Sequence, residues 1–231
     1  MAIDELIEGN IVFQHASFKY FEKDFNALVE KGQHPEVLFI GCSDSRIVPD
    51  LIVNSKPGDM FILRNIGNFV PPFKADNDFH GSAAVIEYAV SLLNVKHIIV
   101  CGHSYCGACQ ALYGELDQGI GLIHLRKWLE LGQKAKADVM THFSFLTQEE
   151  MYRKTEQLSV MYQLENLLTY PEIRKKVATR EIELHGWYYK IEDGTIQTYD
   201  KKTKSFEKMQ EEIAPHGTVM NFEKSAVVLG K

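Results

Sequence analysis

The chain has 231 residues, of which 45% are hydrophobic and 24% are charged, and its formal net charge is -6. A chain of this length and composition forms one globular domain or two small ones. The acidic balance argues against a nucleic-acid partner, because no strong basic field gathers phosphates. No apolar stretch approaches the ~20 residues that a membrane-spanning helix needs, so we expect no membrane partner either.

The N-terminal segment, residues 1 to 32, is predicted to form a helical arm. Its opening, MAIDELIEGN, lacks the basic segment and apolar core of a secretory signal, so we expect a cytoplasmic protein. An apolar stripe with spacings of three and four residues follows: Phe18, Phe21, Phe25 and Leu28. We expect this stripe to pack against the chain's own core or against a second subunit.

Strands alternate with helices along the rest of the chain. EVLFIG, DMFILRN and KHIIVCG are predicted strands, HGSAAVIEYAVSLLNV is a predicted helix, and helical patterns continue to about residue 178. Asp193 and Gly194 separate two alternating runs, which is typical of a hairpin. The pattern predicts a single α/β domain over residues 1–231. Its central β-sheet is mainly parallel, is flanked by helices and carries a late edge hairpin.

Reactive side chains follow two of the predicted strands. Cys42 comes after VLFIG, and His103 comes after HIIVCG and begins an H-x-x-C pair with Cys106. Ligands bind beyond the carboxyl ends of parallel strands, so the two strands deliver these side chains to one edge if they are neighbours. Two thiolates and one imidazole suit zinc, and three protein ligands leave the fourth position open, as in catalytic zinc sites.

The four cysteines also admit other interpretations. A lone cysteine at a strand end is usually a small buried hydrophobe. The CGAC segment, residues 106–109, matches a thiol redox motif, but that motif does not explain Cys42 or His103. An iron–sulfur cluster usually takes four thiolates and would need Cys109. We expect Cys109 to be structural and Cys101 to lie in the core.

Asp44 and Arg46 stand beside Cys42 in the segment GCSDSR. A planar guanidinium binds a carboxylate through two parallel hydrogen bonds. The pair is either a salt bridge that fastens the loop or a functional dyad. In the functional case Arg46 keeps Asp44 ionised and aimed at the fourth zinc position.

The segments CSDSR, GDMFILRNIGN, GSAAVIEYAV and CGHSYCGA, in this order, resemble those of the β-class carbonic anhydrases. HGWYYKIEDG resembles the late strand of the same family. The resemblance covers about residues 32 to 112 and is highly specific. It implies a zinc enzyme that interconverts carbon dioxide and bicarbonate.

The resemblance also implies a role for each residue of the candidate site. Cys42, His103 and Cys106 match the family's zinc ligands, and Asp44 and Arg46 match its catalytic dyad. Zinc-bound hydroxide, oriented by the dyad, attacks carbon dioxide. In some family members the aspartate itself takes the fourth position, so Asp44 is either an orienting acceptor or a conditional fourth ligand.

Further residues match the plant-type branch, whose zinc site is open to water. Gln33 and the backbone N–H of Gly107 match groups that face the substrate. Phe61, Ile66 and Tyr88 match the apolar lining of the carbon dioxide pocket. Each of these has an ordinary structural explanation alone, but as a set they favour the open-site branch.

One departure concerns a second branch, which is regulated by a non-catalytic bicarbonate site. Arg64 and Tyr189 fit that site, but position 39 holds phenylalanine where that branch has tryptophan. Phe39 has no indole N–H to donate, which argues against the regulatory site here. Arg64 also occurs in the open-site branch.

The resemblance implies a homodimer or a dimer-based tetramer, with the helical arm wrapped over the partner. Candidates for a proton shuttle, by residue type only, are His34, His80 and His124. Two alternative functions stay open. One is a hydrolase of the same fold that acts on another cumulated substrate, such as carbon disulfide. The other is a non-catalytic zinc- or bicarbonate-binding protein.

Overall fold

The structure is a computed structural model that describes residues 2–209. Two helices form the N-terminal arm: α1, Ile3–Val12, and α2, Phe18–Lys31, joined through a π-helical turn, Phe13–Ser17. None of the residues in these three segments is buried. The arm is therefore helical, as its apolar stripe predicted, and both of its helices leave apolar side chains exposed.

A six-stranded sheet forms the centre of the molecule. Its strands are β1, Val37–Cys42; β2, Met60–Asn65; β3, His97–His103; β4, Glu183–Tyr189; β5, Ile196–Asp200; and β6, Ser205–Lys208. The strand order is β2-β1-β3-β4-β5-β6. The first four strands in that order are parallel, β5 pairs antiparallel with β4, and β6 pairs antiparallel with β5. The predicted α/β architecture with a mainly parallel sheet is confirmed.

The helices between the strands complete the α/β arrangement. They are α3, Pro49–Val53; α4, Gly81–Glu87; α5, Gly107–Ala111; α6, Ile123–Leu129; α7, Gln133–His142; α8, Gln148–Leu167; and α9, Pro171–Ala178. In residues 2–209, no helix combines the length and the apolar character that crossing a membrane requires.

The inner strands bury side chains on both faces of the sheet, which explains their continuous apolar runs. Leu38 and Ile40 point to one face and belong to the larger core cluster. Phe39 points to the other face and packs with Ile99 and Cys101. Cys101 is 1% exposed, so its predicted place in the core is confirmed.

Two local details differ from the sequence prediction. The helical run predicted after position 80 is regular only through α4, and a π-helical turn, Tyr88–Leu92, completes it. The predicted hairpin pairs β4 with β5, but β6 is the edge strand. An Asp200 carboxylate that accepts from the Lys202 N–H, and a left-handed Lys204, reverse the chain before β6. Residues 210–231 of the predicted domain lie outside the described residues.

Candidate metal centre

The two strands that carry Cys42 and His103 are neighbours. β1 pairs in parallel with β3, so their carboxyl ends meet at one edge of the sheet. The sequence predicted that these strands end at Gly41 and Gly102. Each extends one residue further, so Cys42 and His103 are the final strand residues. Cys106 follows at the N-cap of α5. One ligand atom from each of the three side chains lies within 4.8 Å of the other two, and all three side chains are buried.

The imidazole of His103 presents one free nitrogen to this centre. Its Nδ1 lies 2.9 Å from the carbonyl oxygen of Ser104, which only accepts, so Nδ1 carries the proton and donates it. Nε2 is buried and has no hydrogen-bond partner within the described residues. A buried polar atom without a partner is costly. A cation between this nitrogen and the two sulfurs removes that cost, and the donor set therefore fits zinc.

The two thiols are held in their neutral form when no cation is present. A hydrogen bond with Cys106 and burial raise the pKa of the Cys42 thiol to about 12. A hydrogen bond with Cys109, together with burial, raises the pKa of Cys106 as well. A divalent cation reverses this preference, because its charge stabilises both thiolates. The pocket is thus suited to a metal ion rather than to a reactive free thiol.

Gly67 places a backbone donor against the first cysteine. Its N–H lies 3.4 Å from Sγ of Cys42. Gly67 has a positive φ of 76°, and a Cβ here would lie 2.8 Å from Cζ of Phe69 and 3.0 Å from Cβ of Ala108. Only glycine fits this position without strain, so the contact to the sulfur depends on the absence of a side chain.

Asp44 and Arg46 form a two-pronged ion pair beside the centre. Nε of Arg46 donates to Oδ1 of Asp44 at 2.9 Å, and Nη2 donates to Oδ2 at 2.8 Å. The backbone N–H of Arg46 adds a third bond to Oδ1 at 3.0 Å. The bonds from Arg46 hold the pKa of Asp44 well below its usual range. The carboxylate is therefore ionised throughout the neutral range and can only accept hydrogen bonds.

Arg64 and Tyr105 fix the loop around this ion pair. Nε of Arg64 donates to the carbonyl oxygen of Cys42 at 2.9 Å, and its Nη2 donates to that of Asp44 at 2.7 Å. Nη2 of Arg46 also donates to the carbonyl oxygen of Tyr105, at 3.0 Å. Tyr105 itself has a positive φ of 59°, an uncommon conformation for a bulky residue. These bonds join the β1 loop to the turn between His103 and Cys106.

The match to known proteins is unambiguous. One protein family, described as carbonic anhydrase, matches residues 37–196. Among solved structures, that of the β-carbonic anhydrase CcaA superposes with a TM-score of 0.79 at 37% identity, and the match covers 89% of this chain and 98% of that one. The chain belongs to the β-class carbonic anhydrases.

Relatives of this β-carbonic anhydrase match it over nearly its whole length. A carbonic anhydrase of Synechocystis sp. is 37% identical over 225 residues, which is 93% of this chain and 80% of the relative. One of Helicobacter pylori is 33% identical over 221 residues, or 94% of this chain and 100% of the relative. A tetrameric β-carbonic anhydrase of Sordaria macrospora superposes with a TM-score of 0.75 at 34% identity, covering 85% of this chain and 95% of that one. The predicted family is confirmed, and the chain is an enzyme.

The predicted substrate-binding residues of this carbonic anhydrase lie at several places. Gly107 is the first residue of α5, directly after Cys106. Phe61 and Tyr88 stack with their ring centroids 5.6 Å apart. Ile66 and Tyr88 are each 44% exposed, and Gln33 is exposed after the arm. Within residues 2–209, no hydrogen bond joins Gln33 to the metal centre, so its predicted role stays a prediction.

The three shuttle candidates of the carbonic anhydrase lie at its surface. His34 contacts the carbonyl oxygen of Lys31, and His80 contacts Asp76. His124 is exposed. In the described part of the chain, no hydrogen bond connects any of them to the candidate centre. Phe39 is fully buried, and its ring packs edge-on against Trp187.

Sequence reasoning missed Glu156, a residue of α8 that contacts the candidate metal centre through Cys106. Glu156 is 2% exposed, and burial raises its pKa to about 7. Its Oε1 accepts from the N–H of Cys106 at 2.9 Å and from Nη2 of Arg153 at 2.8 Å. Its Oε2 accepts from the hydroxyl of Tyr188 at 2.7 Å. The sequence signal that could have indicated its burial is helical spacing. Glu156 lies four residues before Val160, and both are on the buried side of α8.

Proposed function

We propose that this enzyme hydrates carbon dioxide to bicarbonate and a proton, reversibly, with a zinc ion held by Cys42, His103 and Cys106. Membership of the carbonic anhydrase family supports the reaction. The observation that carries the metal assignment is the buried, unpartnered Nε2 of His103 beside two buried thiols. When bound, zinc would lower the pKa of a coordinated water far below the value of about 15.7 in bulk water and so supply a nucleophile.

Asp44 orients the attacking group. Its carboxylate is ionised and held at both oxygens by Arg46, so it accepts a hydrogen bond without itself giving up a proton. An acceptor in a fixed position directs the oxygen lone pair toward the substrate and removes the entropic cost of alignment. If Asp44 instead takes the fourth ligand position, the same carboxylate blocks the reaction until it is released.

Substrate binding involves apolar walls and two polar groups. Phe61, Ile66 and Tyr88 provide the apolar surface that a non-polar gas requires. The N–H of Gly107 lies in the first turn of α5 and has no acceptor within that helix, so it is free to stabilise the oxygen that becomes anionic. Gln33 supplies a second donor of this kind.

The pH dependence follows from the ligand set. Two thiolates donate more charge to the metal than imidazoles do, so the nucleophile forms at a higher pH than in a three-histidine site. We therefore expect hydration to become faster toward alkaline pH. If Asp44 occupied the fourth position and left it at higher pH, its release would also make hydration faster toward alkaline pH.

We also propose that the enzyme assembles as a homodimer or a dimer-based tetramer and works in the cytoplasm. The arm exposes several large apolar side chains that a second subunit would cover: Ile3, Leu6, Ile7 and Ile11. The β-carbonic anhydrases of Sordaria macrospora are tetrameric. All four cysteines are free, and reduced thiols are typical of cytosolic proteins.

Stopped-flow hydration of carbon dioxide by protein of known zinc content tests this function. We expect one tightly bound zinc per chain and hydration that increases from about pH 6.5 to 9. A parallel assay offers carbon disulfide as substrate. Zinc-loaded protein that hydrolyses carbon disulfide but hydrates no carbon dioxide at any pH would overturn the proposal. So would zinc-loaded protein that is inactive on both substrates.

A further inference from the structure

Two histidines and a glutamate meet at the amino ends of β3 and β4, whereas the candidate metal centre lies at the carboxyl ends of the parallel strands. His97 is the first residue of β3, and Glu183 and His185 are the first and third residues of β4. The parallel register sets His97 beside Glu183 and Ile99 beside His185. Alternate residues of a strand point to the same face, so all three side chains lie on one face. His103 lies at the far end of β3, roughly 20 Å away.

The three side chains direct their ligand atoms toward one point. Nδ1 of His97 and Nε2 of His185 form a hydrogen bond of 3.1 Å, so one of these nitrogens carries a proton that a metal ion would displace. Oε2 of Glu183 lies 3.9 Å from each of these nitrogens. Apart from the cysteine centre and one acidic loop, this is the only group of three potential ligands of this type in residues 2–209.

The size of this triangle matches a metal coordination sphere. Sides of 3.1, 3.9 and 3.9 Å give a circumradius of about 2.1 Å, so one point in the plane of the three atoms lies that far from each, and a tetrahedral ion would draw the carboxylate closer to the two nitrogens. Bonds from zinc to imidazole nitrogen and to carboxylate oxygen have this length. The strand register brings the three residues together, and the hydrogen bond between the two imidazoles sets the shortest side of the triangle.

The exposure of the three side chains and the charges around them also bear on metal binding. The side chains are partly exposed, at 42% for His97, 30% for His185 and 68% for Glu183, so water can complete the coordination. One neighbouring cation, Lys96, is engaged by Glu36, whereas a second, Lys201, repels positive charge at His185. Burial lowers the pKa of His185, which keeps its ring in the neutral, metal-binding form.

We infer that His97, Glu183 and His185 form a second metal site, which takes a divalent transition-metal ion such as Zn²⁺ or Co²⁺. Two imidazoles and one carboxylate are ligands for borderline cations, unlike the oxygen-rich sites that select Mg²⁺ or Ca²⁺. The site joins β3 to β4 at their amino ends. It contains no cysteine, so its ion is spectroscopically distinct from one at the thiolate centre.

Titration of the purified enzyme, with its tightly bound metal first quantified, tests this inference. Zn²⁺ is added at about pH 8, where histidine is neutral, and binding is followed by calorimetry. We expect one additional equivalent per chain. His185→Ala and the near-isosteric Glu183→Gln should no longer bind the additional zinc equivalent. Both should retain the tightly bound equivalent, which shows that both variants fold. The matched control, His80→Ala, removes the histidine of the exposed Asp76–Asp78–His80 group and keeps the step.

Co²⁺ added to the zinc-loaded enzyme identifies the ligands. Binding to nitrogen and oxygen gives weak visible bands without thiolate-to-metal charge transfer, and these bands disappear in both site variants. An additional equivalent that persists in His185→Ala and Glu183→Gln would overturn the inference, as would the absence of any additional equivalent. Loss of the step in His80→Ala alone would assign the ion to the acidic loop instead.

Discussion

The carboxylate of Glu156 accepts a hydrogen bond from the backbone N–H of Cys106 at 2.9 Å. This bond ties the turn that carries a proposed zinc ligand to the buried side of α8. The other donors to the carboxylate are Arg153 and Tyr188. Two further nitrogens of Arg153 are buried without a hydrogen-bond partner in residues 2–209, and the guanidinium lies over the Tyr105 ring. The network therefore depends on Glu156, and we treat this residue as one that positions Cys106.

Glu156→Gln retains the size of the side chain but removes the charge opposite Arg153 and replaces one acceptor with a donor. We predict a loss of about 1–3 kcal/mol in the free energy of unfolding, because buried donors are left unpaired. Zinc affinity should fall by about 10–100-fold, as is typical when a group that orients a ligand is changed. Urea unfolding and competition with a chelator measure the two effects.

Glu165→Gln on the same helix is the matched control. Glu165 pairs with Lys134 at the surface, and such pairs contribute little to stability. Equal effects of the two substitutions on zinc affinity would show that Glu156 does not position Cys106.

Asp44→Asn tests the dyad separately from the metal. The amide retains the shape of the carboxylate, but it no longer carries the charge that Arg46 holds in place. We predict unchanged zinc content and hydration that is slower by about 10²–10³-fold, the usual effect of removing one preorganised polar contact. Stopped-flow rates are compared at equal zinc content. Asp24→Asn, on the exposed side of α2, is the control and should match the wild type. Full activity in Asp44→Asn would leave the ion pair with a structural role alone.

The cysteines separate the zinc interpretation from the CGAC thiol interpretation. Cys42→Ser removes one of the three clustered ligand atoms and should abolish stoichiometric zinc binding. Cys109→Ser changes a buried side chain of the core cluster around α5 and should leave zinc in place, at some cost in stability. Metal analysis after dialysis measures both. Zinc that survives in Cys42→Ser but not in Cys109→Ser would reverse the assignment.

Gly67→Ala tests the backbone contact to Cys42. The added Cβ meets Phe69 and Ala108 at 3.0 Å or less, and φ is positive, so the strain should cost about 1–3 kcal/mol of stability. The N–H also shifts away from the sulfur. Gly81→Ala is the control, since a Cβ there meets nothing within 4 Å. Thermal unfolding of the two variants compares them directly, and equal melting temperatures would contradict the predicted strain.

The sequence predicted those parts of the site that local patterns encode. Apolar runs located β1 and β3, and the H-x-x-C spacing placed His103 and Cys106 on one turn. Glu156 was not predictable in this way, because its contact with Cys106 joins residues 50 positions apart. The meeting of His97 and His185 depends on strand register, which the sequence pattern does not specify. The sequence did not predict that the guanidinium of Arg64 donates hydrogen bonds to the carbonyl oxygens of Cys42 and Asp44.

Zinc-edge X-ray absorption of the wild-type enzyme, with one zinc per chain, tests the assigned ligands most directly. We predict two sulfur neighbours at about 2.3 Å and two nitrogen or oxygen neighbours at about 2.0–2.1 Å. Those light atoms are the imidazole of His103 and either water or Asp44. In Cys42→Ser loaded with excess zinc, no more than one sulfur should remain. A zinc surrounded by three or four sulfurs, or by none, would contradict the centre formed by Cys42, His103 and Cys106.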